Sequence, residues 1–350
     1  QKLIQKITEK NQTCKFHEGA KAIDDFIINN LSQIYIPITR GELWDESEEK
    51  KNRRLAIYAV LNKVLKTLDI LIHPFCPYTS EHLYQTVFEG KQSILLDKWP
   101  QYQESLVDEE IEESFDIMKD VVSISSAARM KGKLKRRWPL NEAQICVKKN
   151  QKAKLESLSD LLKSQLNVEK FNIIETEENS GLEQLLELKK LGLPVKVTLE
   201  LERKKIGPKA KQHMGKLVST FLETNPDEII PILEKDGKYD FNIDDQKISL
   251  DKEDFIVDFD AGDNFAVAKR DDFTVFISTL RNKEMMAKGL VKDIARRLQT
   301  LRKERGYNPT DVLEVASILE LDNESLEMIK GRDEELAFLV RVKKVNFEKS

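Results

Sequence analysis

The hydrophobic period of the chain changes near residue 140. Before that point, apolar residues such as Leu61, Leu65 and Leu68 recur at steps of three and four, which is the spacing of one face of an α-helix. After it, short segments alternate apolar and polar residues, as Val195 and Val197 do, and this pattern is typical of a β-strand. The sequence therefore predicts a helical first part followed by smaller units of mixed helix and strand.

The first part is predicted to be a bundle of antiparallel helices joined by short breaks. Residues 73–77, HPFCP, end one long helix, because proline lacks an N–H donor and restricts the residue before it. A new helix is expected near Thr79, and another from about Glu109 to Met130. The predicted fold class is multidomain α+β, with three domains: an all-α bundle at residues 1–140, a small α/β module at 141–190 and a second α/β module at 191–350.

The two modules are predicted from strand and helix patterns in succession. The first reads as strand, helix and strand at residues 143–149, 151–166 and 168–176. The second reads as a strand, a helix, a strand, a long helix and two closing strands around a short acidic helix, at residues 194–202, 210–223, 271–280, 282–305, 312–321 and 335–347. Between residues 226 and 263 the sequence is acidic and rich in turn residues. We find no internal repeat of fixed period.

Composition limits the classes of protein that this chain fits. It carries 57 Lys and Arg residues against 61 Asp and Glu, for a net charge of −4. No apolar run approaches the ~20 residues that cross a bilayer, and residues near the start form no signal-peptide core, so no membrane partner is expected. Three widely spaced cysteines fit a reducing cytoplasm. Because the chain opens with Gln1, we expect it to be a piece of a longer protein.

Charge is distributed in blocks along the chain. Residues 104–116 hold seven acids and no base, whereas residues 129–137, RMKGKLKRR, hold six bases and no acid. Two further basic blocks lie at residues 203–216 and 295–306. This pattern indicates one surface for a polyanion and another for solvent. The alternative is that each block is a solvated helix face.

Motifs of catalysis are not found in the sequence. It contains no GxGxxG, no P-loop spacing and no GxSxG nucleophile elbow. Cys14 and His17, with His73 and Cys76, have spacings that a Cys₂His₂ zinc site uses, but packing at the helix break is the preferred explanation. We therefore predict no catalytic residue, no metal and no cofactor in this chain. Contact with RNA through arginine and lysine is the function that composition supports.

Several segments resemble one family. Residues 16–46 and 53–85 resemble the anticodon-binding helical domain of class I aminoacyl-tRNA synthetases, of isoleucyl, valyl and leucyl type alike. Residues 124–140, ISSAARMKGKLKRRWPL, are similar to the signature A-R-x-K-x-x-x-K-x-R-x-P-L of the isoleucyl branch in its archaeal or eukaryotic style. Residues 204–217 and 288–315 also resemble C-terminal segments of that branch.

This resemblance implies a parent enzyme that activates isoleucine with ATP and Mg²⁺ and charges tRNA(Ile). The HIGH and KMSKS motifs of the family do not occur in the printed sequence, so we expect the C-terminal half, inactive by itself. Its expected partners are tRNA and the upstream catalytic and editing domains of the same parent chain, in the cytoplasm. The same region of a valyl or leucyl enzyme is one alternative, and a non-catalytic RNA- or protein-binding scaffold is another.

The resemblance and the basic blocks together give a predicted RNA-binding surface. Its cations neutralise phosphates, and Trp138 is a lesser candidate for stacking on a base. For residues at the end of the last long helix, the alternative is attraction to the helix C-terminal dipole. The predicted RNA-binding residues are Arg129, Lys131, Lys133, Lys135, Arg136, Arg137, Trp138, Arg296, Arg297, Arg302 and Lys303.

Overall fold

A computed structural model of the chain describes residues 1–43, 47–88, 92–177, 181–244, 246–308, 310–319 and 321–347. The last three residues of the segment 16–46, which carries part of the family resemblance, lie outside the described residues. The chain divides into two units, Gln1–Glu110 and Ile111–Ser350.

The first unit is helical, which confirms the predicted bundle. A π-helical stretch, Phe26–Tyr35, connects the second and third helices, and Ile4, Ile7, Ile23 and Leu71 form a buried apolar cluster. The helix that follows the HPFCP break begins at Pro77, slightly before the predicted start, because proline is well suited to the first helical position. The helices are α1 Lys2–Gln12, α2 Phe16–Asp25, α3 Ile36–Leu43, α4 Lys51–Ile72 and α5 Pro77–Val87.

The second unit mixes helices and strands. A long helix begins at the boundary between the units and runs to Lys131, as predicted. The helices are α6 Glu109–Lys131, α7 Lys149–Glu156, α8 Ser159–Leu166, α9 Gly181–Lys190, α10 Arg203–Ala210, α11 Met214–Glu223, α12 Pro226–Asp236, α13 Lys283–Glu304, α14 Asn323–Ile329 and α15 Asp333–Val340. The strands are β1 Leu140–Val147, β2 Val168–Glu175, β3 Val195–Leu201, β4 Lys238–Ile243, β5 Gln246–Asp251, β6 Phe255–Ala261, β7 Phe265–Arg270, β8 Phe273–Ser278, β9 Leu313–Ile318 and β10 Val342–Phe347.

Four strands form the largest sheet, in the order β2-β1-β8-β7. The β1 and β2 strands are parallel, whereas β8 is antiparallel to both of its neighbours. The remaining strands pair as β9 with β10 in parallel, and as β3 with β6 and β4 with β5 in antiparallel fashion. Because β8 pairs with β1, the modules predicted at 141–190 and 191–350 share a sheet. The predicted domain boundaries at residues 140 and 190 stay predictions.

Three predicted elements differ from the structure. The segment 335–347 is not one strand, because α15 has three acids in its first turn and ends before Arg341, which adopts the left-handed conformation. The predicted helix 151–166 breaks between α7 and α8. The acidic stretch after residue 226 is ordered as α12 and β4–β6, since the Asn225 side chain caps α12 and Gly237 ends it.

Apolar side chains of the second unit pack into separate clusters. The larger cluster includes Leu185, Phe255 and Phe276, and another joins Val291 of α13 to Leu336 of α15. This second cluster fixes α13 against the last strands and thereby positions the basic end of that helix. Within the described residues, no helix combines the length and the hydrophobicity that crossing a membrane requires.

Candidate nucleic-acid interface

A cleft in the second unit brings two of the predicted basic segments together. Its cavity volume is about 500 Å³, and two of its cations come from the segment after α6 while two come from α13. We call this surface the basic cleft. Its lining residues are Lys135, Arg137, Asp293, Arg296, Arg297, Thr300, Leu301 and Glu304.

The carboxylate of Asp293 joins the two walls of the basic cleft. Its oxygens lie 2.8 Å from Lys135 Nζ and 2.6 Å from Arg137 Nε, and the indole Nε1 of Trp138 donates to it at 3.1 Å. Partial burial opposes ionisation, but the hydrogen bonds from Lys135 and Trp138 prevail and lower the pKa of Asp293 below its usual value. Asp293 is therefore ionised at neutral pH and holds the segment after α6 against α13.

The indole of Trp138 packs directly on α13. A Cβ atom at Gly289 would lie 2.4 Å from Trp138 Cδ2, so the ring occupies space that only glycine leaves open. The Nζ of Lys135 and the guanidinium carbon of Arg281 lie 5.4 and 5.0 Å from the ring centre, which is the range of cation–π attraction. The geometry thus assigns Trp138 to packing, and its predicted stacking on a base stays a prediction.

The structure corrects the prediction for Arg129. Its side chain is buried, and its guanidinium donates to four backbone carbonyl oxygens. These acceptors belong to Lys135, Trp138, Leu166 and Asn167, at 3.2, 3.0, 2.7 and 3.1 Å. Burial, with smaller contributions from Arg136 and Arg281, lowers the pKa of Arg129 to about 10. Arg129 is an internal structural residue and is not placed to bind a phosphate.

Arg302 is corrected for the same reason. It is buried, and its guanidinium donates to the carbonyl oxygens of Val340, Arg341, Asn308 and Asp311. Arg302 is therefore not placed to bind a phosphate. Attraction to the dipole of α13 does not explain its position, because these acceptors lie beyond the end of that helix. Both arginines were assigned to RNA because a sequence does not distinguish a buried basic residue from an exposed one.

The other predicted cations lie outside the lining of the basic cleft. Lys131, Lys133, Arg136 and Lys303 are exposed to solvent, and their contact with RNA stays a prediction. The basic block at residues 203–216 is partly paired with acids, because Lys216 Nζ lies 2.5 Å from Asp244 and Lys209 binds Asp251 and Asp254.

Sequence reasoning missed Asp293 and Gly289. These residues are four positions apart and therefore lie on one face of α13, directly against the basic segment. A glycine and an acid at this spacing within a basic helix are a signal that could have indicated a docking face. The spacing alone does not say what docks there.

The cysteines and histidines considered as zinc ligands lie in the first unit. Cys14 and Cys76 are exposed thiols, and His73 Nδ1 lies 2.8 Å from Ser80 Oγ. Across the described ranges, no three His, Cys, Asp or Glu side chains are grouped so that they could hold a metal ion. The hydrogen bond explains His73 as part of the turn before α5.

Comparison with known proteins gives the class of the first part of the chain. Residues 1–145 match the family described as the anticodon-binding domain of tRNA ligase. This match supports the resemblance noted in residues 16–46 and 53–85 of the sequence.

Relatives that match nearly the whole chain include isoleucine–tRNA ligases. The enzyme of Sulfolobus acidocaldarius is 27% identical over 346 residues, which are 98% of this chain and 31% of that protein. The enzyme of Pyrococcus furiosus is 27% identical over 352 residues, which are 99% of this chain and 31% of that protein. The enzyme of Methanothrix thermoacetophila is 27% identical over 334 residues. The chain therefore spans about a third of the length of these relatives.

Proposed function

We propose that this chain is the tRNA-binding part of an isoleucine–tRNA ligase and that its basic cleft contacts the phosphate backbone of the anticodon arm. The observation that carries the proposal is the meeting of two basic segments in one cleft. Lys135 and its partner Asp293 are 158 residues apart in the chain, so the fold, and not local sequence, produces this concentration of positive charge.

The four cations of the basic cleft are not equivalent. Lys135 and Arg137 share the carboxylate of Asp293, whereas Arg296 and Arg297 are exposed on the turn of α13 that follows it. A phosphate entering the cleft would meet Arg296 and Arg297 without displacing that carboxylate. We therefore assign the larger part of the salt-dependent affinity to these two arginines, since each neutralised phosphate contributes about 0.7–0.9 to the slope of log affinity against log salt.

The activity of the parent enzyme belongs to the same proposal. Activation of isoleucine with ATP would be carried by regions of the ligase that this chain does not include, since its printed sequence has no HIGH or KMSKS motif. Residues 1–350 alone are then expected to give no isoleucine-dependent ATP–pyrophosphate exchange. Detectable exchange would contradict this part of the proposal. We place the parent enzyme in the cytoplasm, where its tRNA substrate is used.

The experiment measures binding of tRNA(Ile) and tRNA(Val) transcripts between 50 and 300 mM salt. We expect tighter binding of tRNA(Ile), and we expect Arg296→Ala with Arg297→Ala to lower the salt slope by about 1.5. The matched control is Arg203→Ala with Lys204→Ala, which removes the same charge from exposed positions of α10 and should change the slope by less than about 0.5.

Three results would contradict the proposal in different ways. Equal binding of both transcripts would argue against the isoleucyl assignment and for another ligase of the class. Equal effects of the two double variants would argue against the basic cleft as the contact. Absence of salt-sensitive tRNA binding would support the scaffold alternative.

A further inference from the structure

We infer that the second unit contains the same module twice, that Arg129 and Arg302 are equivalent residues in the two copies, and that Arg129 positions the cations of the basic cleft. Each module is a long helix, a corner, a strand, two short helices and a parallel strand. The first copy is α6, the first corner (residues 132–139), β1, α7, α8 and β2. The second copy is α13, the second corner (residues 305–308 and 310–312), β9, α14, α15 and β10.

The topology of the two copies is the same. In each, two helices connect a pair of parallel strands, with β1 beside β2 and β9 beside β10. The second short helix has eight residues in both copies and ends at a residue in the left-handed conformation, Asn167 with φ 52° and Arg341 with φ 56°. A non-glycine residue with positive φ is uncommon, so its recurrence at the same point is informative.

The hydrogen bonds of the two buried arginines correspond one by one. Arg129 donates to carbonyl oxygens 6 and 9 residues further on, and so does Arg302. Each also donates to the left-handed residue, 38 positions after Arg129 and 39 after Arg302, and to the residue before it, 37 and 38 positions after the respective arginine. One inserted residue in the second copy accounts for this difference.

The backbones of the two corners also correspond. Lys133 and Gly306 both have positive φ, 53° and 77°. The amide of the next residue donates to the carbonyl of the buried arginine in each copy, at 2.8 Å from Leu134 and at 3.1 Å from Tyr307. Further along, the amide of Trp138 donates to the carbonyl of Lys135, as the amide of Asp311 does to the carbonyl of Asn308.

Buried positions match as well, although few residues are identical. The apolar side chains of the short helices and second strands are buried in pairs: Leu155 and Ile329, Leu162 and Leu336, Leu166 and Val340, and Val168 and Val342. From each buried arginine through the first strand, the identical pairs are Arg129 and Arg302, Leu140 and Leu313, Ala143 and Ala316, and Ile145 and Ile318. The sequence shows no repeat of fixed period, because these four identities are scattered and the two copies differ in length by one residue.

The positioning role of Arg129 rests on the proposed function. Its guanidinium binds the carbonyls of Lys135 and Trp138 and so fixes the backbone on both sides of Arg137. Two of the four cleft cations, Lys135 and Arg137, lie in this short segment. Arg302 fixes the second corner in the same way, but none of the second corner's residues lines the basic cleft. Loss of Arg129 should therefore reach the cleft, whereas loss of Arg302 should not.

The test compares Arg129→Met, Arg302→Met and Arg129→Lys in the 350-residue chain by amide hydrogen exchange and by tRNA(Ile) binding. Arg129→Met should speed exchange at Leu134, Trp138 and Leu140 and leave the second corner unchanged. Arg302→Met should speed exchange at Tyr307, Asp311 and Leu313 and leave the first corner unchanged. Only Arg129→Met should weaken tRNA binding, by a few-fold, with a salt slope lower by less than about 1, which is a smaller change than the joint loss of Arg296 and Arg297 produces. Arg129→Lys should recover part of both effects, and it replaces Arg129→Met if that variant does not fold.

The outcomes separate the repeat from the proposed function. Exchange that rises across both copies in either variant would overturn the equivalence of the two modules. If wild type binds tRNA(Ile) and the first corner opens without loss of affinity, the positioning role is overturned while the proposed function stands. If wild type binds no tRNA, the proposed function fails and the positioning role with it, whereas the exchange pattern still decides the repeat.

Discussion

The first and second corners follow the same backbone path with different side chains. The first carries lysine or arginine at residues 133, 135 and 137, and the second carries Gly306, Asn308 and Thr310 at the equivalent positions. In both, a buried arginine binds carbonyl oxygens on each side of the segment. The arginine therefore holds the path of the backbone in each corner, whereas the other side chains of the corner set its charge.

The long helices of the two copies also differ in what they contact. Gly289 and Asp293 of α13 hold the first corner through Trp138, Lys135 and Arg137. The equivalent residues of α6 are Asp116 and Asp120, which pair with Lys119 and Arg270 instead. The basic cleft therefore forms where the helix of the second copy meets the corner of the first, and not as a property of each copy.

The largest effect is expected from Gly289→Ala. The new methyl group would overlap the Trp138 ring, which lies 2.4 to 2.8 Å from the Cβ position. Overpacking of this kind exceeds the gain in helix propensity from alanine. We expect the free energy of unfolding to fall by about 2 kcal/mol, measured by urea denaturation, and tRNA affinity to fall with it.

Gly215→Ala is the matched control for Gly289→Ala. It makes the same change in α11, at a position where no described atom other than those of its chain neighbours and its own helix backbone lies within 4 Å of the new Cβ. We expect it to raise the free energy of unfolding by about 0.5 kcal/mol. Equal effects of the two substitutions would show that Trp138 is not packed on α13. The two long helices would then not differ in this contact.

Asp293→Asn is expected to lower stability less than Gly289→Ala does, and to strengthen tRNA binding where Gly289→Ala weakens it. The amide keeps an acceptor for Trp138 Nε1 but no longer neutralises Lys135 and Arg137. We expect the free energy of unfolding to fall by about 1 kcal/mol. We expect tRNA to bind about threefold more tightly, because a carboxylate no longer competes with phosphate for Lys135 and Arg137. The equivalent substitution in the first copy, Asp120→Asn, should change neither quantity measurably, since its partner Arg270 lies at an exposed site.

The pH dependence of Asp293→Asn follows from the pKa of Asp293, which is lower in the folded chain than its ordinary value. The carboxylate therefore contributes its stability in full above the unfolded pKa and loses it as the pH falls through the folded one. The stability difference between wild type and variant should be constant from about pH 5 to pH 8 and shrink below about pH 4. A difference that already declines between pH 8 and pH 6 would implicate another group.

The sequence predicted much of the fold because periodicity is a local property. The bundle, the long helices α6 and α13 and the strands β1, β2, β3 and β8 follow from spacing that a linear chain displays. The predicted strand at 335–347 was right for its second half, which is β10, and wrong for its first half, which is helical, for a physical reason. Its apolar run suits either element, and the choice depends on the left-handed turn at Arg341, whose position is fixed by Arg302.

The candidate site was predictable only in part. Basic residues are visible in a sequence, so Lys135, Arg137, Arg296 and Arg297 were named before the fold brought them together. Their burial is not visible, and Arg129 and Arg302 were misassigned. The repeat was missed because its evidence lies in hydrogen bonds to backbone carbonyls, which almost any residue supplies. Side chains at those positions are consequently free to differ, as Lys135 and Asn308 do.

The smallest effects test whether the two corners share a backbone conformation. Lys133 pays a steric cost for its positive φ that Gly306 does not. Lys133→Gly should therefore raise the free energy of unfolding by up to about 1 kcal/mol, and Gly306→Ala should lower it by about the same amount. The control is Lys131→Gly, inside the last turn of α6, which should lower stability because glycine is a poor helix former. If Lys133→Gly lowered stability as Lys131→Gly does, residue 133 would not adopt the left-handed conformation. The two corners would then not correspond at the point where the amides of Leu134 and Tyr307 donate to the carbonyls of the buried arginines.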